Sequence, residues 1–304
     1  MDKKYEIILY GATGFTGQIC CKYIRDNYPD LLWAIGGRNK EKLQQIKSDF
    51  NLNCDVIEAD GADMEALKLM TSQTKVVLST AGPFARYGSL LVQACVEEGS
   101  HYTDITGENH WVKGLIDKHH EEAASKGIRI IPSCGYDSIP SDIGAFFTIS
   151  QFDKPVSRVD VYHEAQGGAS GGTTETIFTM DGVGKEMRDP FVLNPKDTIS
   201  DEQRENSKDG FKVEKVDGLE GWAGVGVMAV ANTRVVRRSA ALMEQNQKPY
   251  GNNFTFGEHG LFSSKRNARL ASIGLVIGFI VLSTPIKRLV RPFPVSYTHL
   301  RAHE

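Results

Sequence analysis

The chain has 304 residues, 40% of them apolar, which is enough for a sizeable core and more than one domain usually holds. A formal charge of -3 with mixed signs, and no basic arm or zinc-ligand spacing, gives no electrostatic ground for a nucleic-acid partner or a metal. Five cysteines, Cys20, Cys21, Cys54, Cys95 and Cys134, form no CxxC pair and are expected to be reduced thiols of an intracellular protein; Met1-Asp2-Lys3-Lys4 runs straight into the first strand and leaves no room for a signal peptide.

The apolar run Tyr5 to Tyr10 predicts a first strand, and Gly11-Ala12-Thr13-Gly14-Phe15-Thr16-Gly17 turns out of it into a helix. Such a turn aims backbone N–H groups and the positive helix end at one spot, where a pyrophosphate fits. Gly11 permits the tight turn, Gly14 lets phosphate approach the backbone, and Gly17 lets helix and strand pack closely. Phe15, Ile19 and Tyr23 recur every fourth residue and are expected to lie on the sheet. The alternative is a glycine-rich turn that holds nothing. A second strand is predicted over Leu31-Leu32-Trp33-Ala34-Ile35, and Gly36-Gly37-Arg38-Asn39 follows it. An NAD site carries an acid about 20 residues after the glycines, and here Arg38 takes that place. A guanidinium fork matches a phosphate, so NADP is favoured over NAD; the alternative is a solvated arginine. A third strand over 55–60 carries Asp60 to its carboxyl end, in reach of an adenine amino group. A fourth over 76–80 exits through Thr80-Ala81-Gly82-Pro83, whose backbone is expected to touch ribose and nicotinamide.

A helix over 89–97, a strand at His101-Tyr102-Thr103, a helix over 108–126 that buries Val112, Leu115, Ile116 and Ala123, and a strand over 128–131 follow. This alternation predicts an α/β fold, a Rossmann-type doubly wound parallel sheet in a dinucleotide-binding domain over 1–150. His119, His120, Glu121 and Glu122 do not form a metal site, because adjacent helical side chains point about 100° apart; they read as a solvated face. Tyr102 ends the fifth strand beside Asp104, where a phenol can donate a proton to a carbanion or simply pack. Asp137, ahead of Ser138-Ile139-Pro140, reads either as a helix cap or as a site residue, and Cys134 has no histidine partner nearby in sequence.

A second, α+β substrate domain is expected over 151–294, with a strand over 156–163, a glycine-rich loop over 167–172, a threonine-capped helix over 173–184 and a polar, exposed or mobile insertion over 194–210. No charge interrupts 270–286, which is flanked by Lys265, Arg266, Arg269, Lys287 and Arg288. As a helix it reaches about 25 Å, a little short of a span, and Gly274 and Gly278 form a GxxxG. Membrane or lipid-droplet contact is expected there, a buried helix being the alternative.

Tyr10-Gly11-Ala12-Thr13-Gly14-Phe15-Thr16-Gly17, Gly37-Arg38-Asn39, Gly82-Pro83-Phe84 with Tyr87-Gly88, Tyr102-Thr103-Asp104-Ile105-Thr106-Gly107-Glu108 and Cys134-Gly135-Tyr136-Asp137-Ser138-Ile139-Pro140-Ser141-Asp142 together resemble the saccharopine dehydrogenase-like oxidoreductases. That family is related to saccharopine reductases and to bacterial trans-acting enoyl reductases of lipid synthesis. The resemblance implies an NADP-type reductase; eukaryotic members associate with lipid droplets and membranes, with mitochondria a further expected location. It also carries over Asp137 and Asp142 as site residues near a substrate cleft, although Ser133 stands where saccharopine reductases place an acid. The expected activity is NADPH-dependent reduction of a hydrophobic, lipid-linked substrate. The alternatives are a non-catalytic NADPH-binding protein docked on lipid and a saccharopine-type amino-acid dehydrogenase. A homo-oligomer is allowed by everything above. Family members run longer, and the tail over 295–304 resembles translated adaptor sequence, so truncation near Pro294 is expected.

Overall fold

The computed structural model describes residues 3–164, 189–196, 198–209 and 212–282. The expected glycine-rich loop, the helix over 173–184, the end of the apolar segment and the tail over 295–304 lie outside these residues. Two compact units divide the chain, Met1–Asp137 and Ser138–Glu304.

Unit 1 alternates strand and helix: β1 (Tyr5–Tyr10), α1 (Phe15–Asn27), β2 (Trp33–Gly37), α2 (Lys40–Asp49), β3 (Asp55–Glu58), α3 (Met64–Thr71), β4 (Thr74–Ser79), α4 (Phe84–Tyr87), α5 (Ser89–Glu98), β5 (His101–Asp104), α6 (Asn109–Ser125) and β6 (Ile130–Ile131). The strands pair in parallel in the order β3-β2-β1-β4-β5-β6, with Ile7 opposite Trp33 on one side and Val76 on the other. Strands covered on both faces must be apolar on both, and the neighbours Ile8 and Leu9 are each fully buried. Leu9, Ile35, Ile24, Leu43 and Trp33 belong to one core cluster with α1 and α2. The chain order reverses between β2 and β4 on either side of β1, which opens the ligand crevice at the carboxyl ends of those strands.

Two expectations for unit 1 are corrected. The every-fourth-residue stripe of α1 faces outward, with Phe15 57%, Ile19 51% and Tyr23 57% exposed, while Gly17, Cys21 and Ile24 face the sheet. Close helix-to-sheet approach selects the face with the small residues. His119 is not part of a solvated face either: it continues the Val112, Leu115 and Ala123 stripe and is buried, and burial lowers its pKa, whereas His120, Glu121 and Glu122 are exposed.

Unit 2 comprises α7 (Ile139–Ile149), β7 (Arg158–His163), α8 (Asp201–Asn206), β8 (Glu214–Lys215), β9 (Trp222–Val225), α9 (Ala229–Gln245), β10 (Thr255–Phe262) and α10 (Lys265–Leu282) among the described residues. The helix after Ser138, grouped above with the first domain, therefore belongs to the second unit. The sheet order is β7-β10-β9-β8, with β7 parallel to β10 and the other pairs antiparallel. Ala145 of α7, Val236 and Ala240 of α9, and Phe256 of β10 share a core with Tyr250 and Phe254.

The segment over 194–210 is not a simple exposed insertion. Arg234 on α9 is buried and holds Asp209 through two 2.6 Å bonds, Arg238 donates to the Leu193 carbonyl at 2.5 Å, and the Asn194 amide donates to the Arg237 carbonyl at 3.1 Å. Burial and neighbouring Arg234 lower the Arg237 pKa to about 10. At α10, Ala268 and Ser272 are buried and the Ser272 hydroxyl accepts the Val225 N–H at 3.0 Å. Leu270, Ile273 and Ile277 on its other side are exposed. Among the described residues no helix is long and apolar enough to cross a membrane.

Candidate dinucleotide site

The turn between β1 and α1 is closed by glycine at two points. Gly11 has φ +91°, and a Cβ there would stand 2.9 Å from the Ala81 nitrogen. A Cβ on Gly17 would stand 2.3 Å from the Gly11 carbonyl oxygen, an overlap that no rotamer relieves. Ala12 is fully buried beneath the turn, while Thr13, Gly14, Phe15 and Thr16 are exposed on top of it. Gly14 is the N-cap of α1; no side chain caps this end and no acid stands in the first turn. A helix start left without an intramolecular counter-charge fits an anion, and the residues present therefore fit the pyrophosphate of a dinucleotide.

From β1 the two halves of such a ligand must run in opposite directions, one over β2 and one over β4. Arg38 leaves the carboxyl end of β2 exposed, and both Arg38 and Asp60 act electrostatically on the Tyr10 phenol, which puts all three at one edge. Burial first, then Asp60, raises the Tyr10 pKa to about 12, and its hydroxyl donates to the Ala59 carbonyl at 3.1 Å. Asn39 Oδ1 accepts the Lys42 N–H at 2.8 Å and so caps α2; Asp60 Oδ1 accepts the Ala62 N–H at 2.9 Å. Each keeps further polar atoms for a ligand. On the β4 side the Thr80 N–H donates to the Tyr10 carbonyl at 2.9 Å, and its hydroxyl donates to the Gly11 carbonyl at 3.2 Å. Thr80 thus ties the two strand exits together, and Ala81 and the cis Gly82–Pro83 peptide follow on the same edge.

Behind that edge lies a set of polar residues of which the sequence paired only Tyr102 and Asp104. Tyr102, Asp104, Thr106 and Glu108 alternate along β5 and its exit, and all are at most 2% exposed. The Tyr102 hydroxyl donates to Asp104 Oδ2 at 2.9 Å; Asp104 Oδ1 accepts the Thr106 and Ser133 N–H groups at 2.9 and 3.0 Å. Burial dominates these bonds and raises the Asp104 pKa to about 6, and it drives the Tyr102 phenol well above its usual value. Tyr102 is thus enclosed in unit 1 and serves as a packing and bonding partner of Asp104. The available signal was polar alternation continuing past a strand end.

The remaining proposed site residues fall on either side of the unit division. Asp137 is exposed at the end of unit 1. The N-cap of α7 is Ser138, whose hydroxyl donates to Asn232 Oδ1 at 2.8 Å instead of capping the helix; Pro140 sits in the first turn. Asp142 belongs to unit 2, where its Oδ2 accepts the Ser239 hydroxyl at 2.9 Å and burial raises its pKa to about 6. Cys134 lies in unit 1 with its thiol 3.4 Å from the Ile131 carbonyl. Among the described residues no histidine, cysteine and carboxylate side chains group as metal ligands.

Residues 7–131 match the family described as the saccharopine dehydrogenase NADP-binding domain. A trans-acting enoyl reductase of Mycobacterium leprae is 31% identical over 277 residues, and one of Mycobacterium tuberculosis is 33% identical over the same length; each alignment covers 84% of this chain and 65% of the relative. The chain thus spans about two thirds of the length of those relatives. Apo saccharopine dehydrogenase (L-Glu forming) from Saccharomyces cerevisiae aligns with a TM-score of 0.44 at 17% identity, over 53% of this chain and 34% of that one.

Proposed function

We propose that the chain, whose residues 7–131 match the saccharopine dehydrogenase NADP-binding domain family, is an NADPH-dependent reductase of a hydrophobic, lipid-linked enoyl or keto substrate at a membrane or lipid-droplet surface. The observation that carries this reading is the uncapped start of α1 above Gly11 and Gly17, with Arg38 at the neighbouring strand end. NADPH supplies a hydride when bound, and an enoyl group that accepts it at the β carbon must also gain a proton at the α carbon. The chain's own contribution in unit 1 is to grip the pyrophosphate by backbone, to read the extra phosphate by Arg38, and to hold the Thr80–Pro83 edge in shape. The names of the mycobacterial relatives support enoyl reduction.

The lipid part of the proposal draws on α10, where exposed Leu270, Ile273 and Ile277 follow the cations Lys265, Arg266 and Arg269. Apolar residues behind a basic helix start favour an anionic lipid surface. A dicarboxylate substrate is less well served, because Arg234 and Arg237 of unit 2 are buried and bonded within the protein. The test combines NADPH oxidation in the presence of a trans-2-enoyl thioester with flotation on vesicles containing phosphatidylserine. Turnover that rises on vesicles supports the whole proposal. NADPH binding with no turnover across chain lengths favours a non-catalytic NADPH-binding role, and turnover with no flotation removes the lipid surface from it.

A further inference from the structure

Helix α4 follows directly on the Gly82–Pro83 edge and is only four residues long, so it has few bonds of its own with which to hold that edge. The Arg86 and Tyr87 N–H groups both return to the Pro83 carbonyl, at 3.3 and 3.2 Å. Its N-cap is a proline, whose side chain accepts nothing, and the Phe84 N–H is buried with the Phe84 ring. The missing acceptor comes from a different element: Glu108, at the N-cap of α6, accepts Phe84 N–H on Oε1 at 2.7 Å and Ala85 N–H on Oε2 at 3.1 Å. Both carboxylate oxygens are thus used on one loop from a side chain that is almost fully buried. Glu108 is itself held, since its N–H donates to the Thr106 hydroxyl at 3.0 Å and Thr106 N–H donates to Asp104. One turn on, Trp111 stacks on Phe84 with centroids 5.9 Å apart and donates its indole N–H to Ser89 at 2.9 Å.

We propose that Glu108 is the positioning residue of the nicotinamide half of the site. The geometry behind this is the division of labour along the edge. Arg38 and the β1–α1 turn lie at and beyond β1 on the β2 side, whereas Gly82 and Pro83 lie on the β4 side, where the second nucleotide must run. The Glu108 carboxylate bonds on the β4 side, to Phe84 and Ala85. It meets the backbone immediately after that loop through one bond to each carboxylate oxygen, at 2.7 and 3.1 Å. Its effect is therefore confined to the part of the ligand that the adenosine half lacks.

The inference rests on the NADP reading above, and the test separates the two. NADPH and adenosine 2′,5′-bisphosphate are titrated into the wild-type chain, Glu108→Gln and Glu108→Ala. The amide in Glu108→Gln keeps one acceptor and turns a donor toward the other N–H, and alanine leaves both N–H groups without a partner. The expected result is a rise in Kd for NADPH of about 10-fold with Gln and about 100-fold with Ala, while the bisphosphate Kd stays within about twofold. Equal losses for both ligands would overturn the proposal by making Glu108 a general structural group, and no loss for either would overturn it by showing that the loop is held without it. Failure of the wild-type chain to bind either ligand would overturn the NADP reading itself. Hydrogen exchange on the wild-type chain covers the case in which the variants do not fold: the Phe84 and Ala85 amides are expected to be protected without ligand, and slowed further by NADPH but not by the bisphosphate. Exchange of both at open-loop rates without ligand would contradict the role given to Glu108.

Discussion

Both units bury carboxylates; those of unit 1 accept backbone N–H groups, beside the Tyr102 hydroxyl on Asp104, whereas Glu258 of unit 2 accepts side chains. In unit 1 the buried carboxylates of Asp104 and Glu108 accept backbone N–H groups, from Thr106 and Ser133 in one case and from Phe84 and Ala85 in the other. In unit 2 the buried carboxylate of Glu258 accepts the side chains of Ser141 and Asn232, at 2.7 and 3.0 Å, and buried Arg234 grips Asp209. A side chain bonded to backbone fixes the path of a loop; a side chain bonded to a side chain fixes how two elements pack. The first suits an edge where a ligand is met by main-chain groups, and the second suits a scaffold of helices on a sheet.

Substitutions in each unit test this difference. Gly17→Ala places a methyl 2.3 Å from the Gly11 oxygen, so α1 must lift off the turn, and the Kd for NADPH is expected to rise at least about 100-fold in a fluorescence titration. Binding within threefold of wild type would mean that the turn is not the anion cradle. In unit 2, Arg234→Met removes the buried partner of Asp209, which is partly exposed and keeps Arg237 at 3.9 Å; urea unfolding is expected to show a loss of about 2 kcal/mol. A loss below about 0.5 kcal/mol would mean that the pair does not anchor the segment before β8.

Asp142→Asn has a smaller effect with a defined sign. The Asp142 pKa stands at about 6 against 3.8 for the ordinary side chain, so folding favours the protonated form, and the stability it contributes at low pH is lost as pH rises through about 6. Asparagine can still bond Ser239 and cannot ionise. The variant is therefore expected to be more stable than wild type by about 1–2 kcal/mol at pH 8, with the gain shrinking toward zero near pH 4. A variant less stable at pH 8 would show that the ionised carboxylate is needed. The smallest effect is expected for Ile273→Asn on exposed α10, a few-fold weaker vesicle flotation with unchanged NADPH affinity. Unchanged flotation would remove that helix from the lipid proposal.

Unit 1 was legible in the sequence wherever the signal is local. Gly11, Gly14 and Gly17 act within one turn, and the central strands β1 and β2 carry the apolar runs Ile7-Ile8-Leu9 and Trp33-Ala34-Ile35 because both of their faces are covered. The face of α1 was misread because apolar periodicity marks the large residues, whereas Gly17 must touch the turn and brings Cys21 and Ile24 inward with it. The stretch before β8 looks polar and exposed on composition alone; its anchors, Arg234, Arg237 and Arg238, stand on a later helix, and nothing local announces them. The same holds for Glu108, whose partners Phe84 and Ala85 lie 24 and 23 residues earlier. Tertiary hydrogen bonds of this kind have no sequence period.

The most direct test of the cofactor site is a titration of the wild-type chain and Arg38→Ala with NADPH and NADH, followed by fluorescence. The account predicts that wild type prefers NADPH and that Arg38→Ala loses about 10- to 100-fold in NADPH affinity while NADH affinity changes little. Equal affinity of the wild-type chain for the two cofactors, or an Arg38→Ala variant that still prefers NADPH, would contradict it.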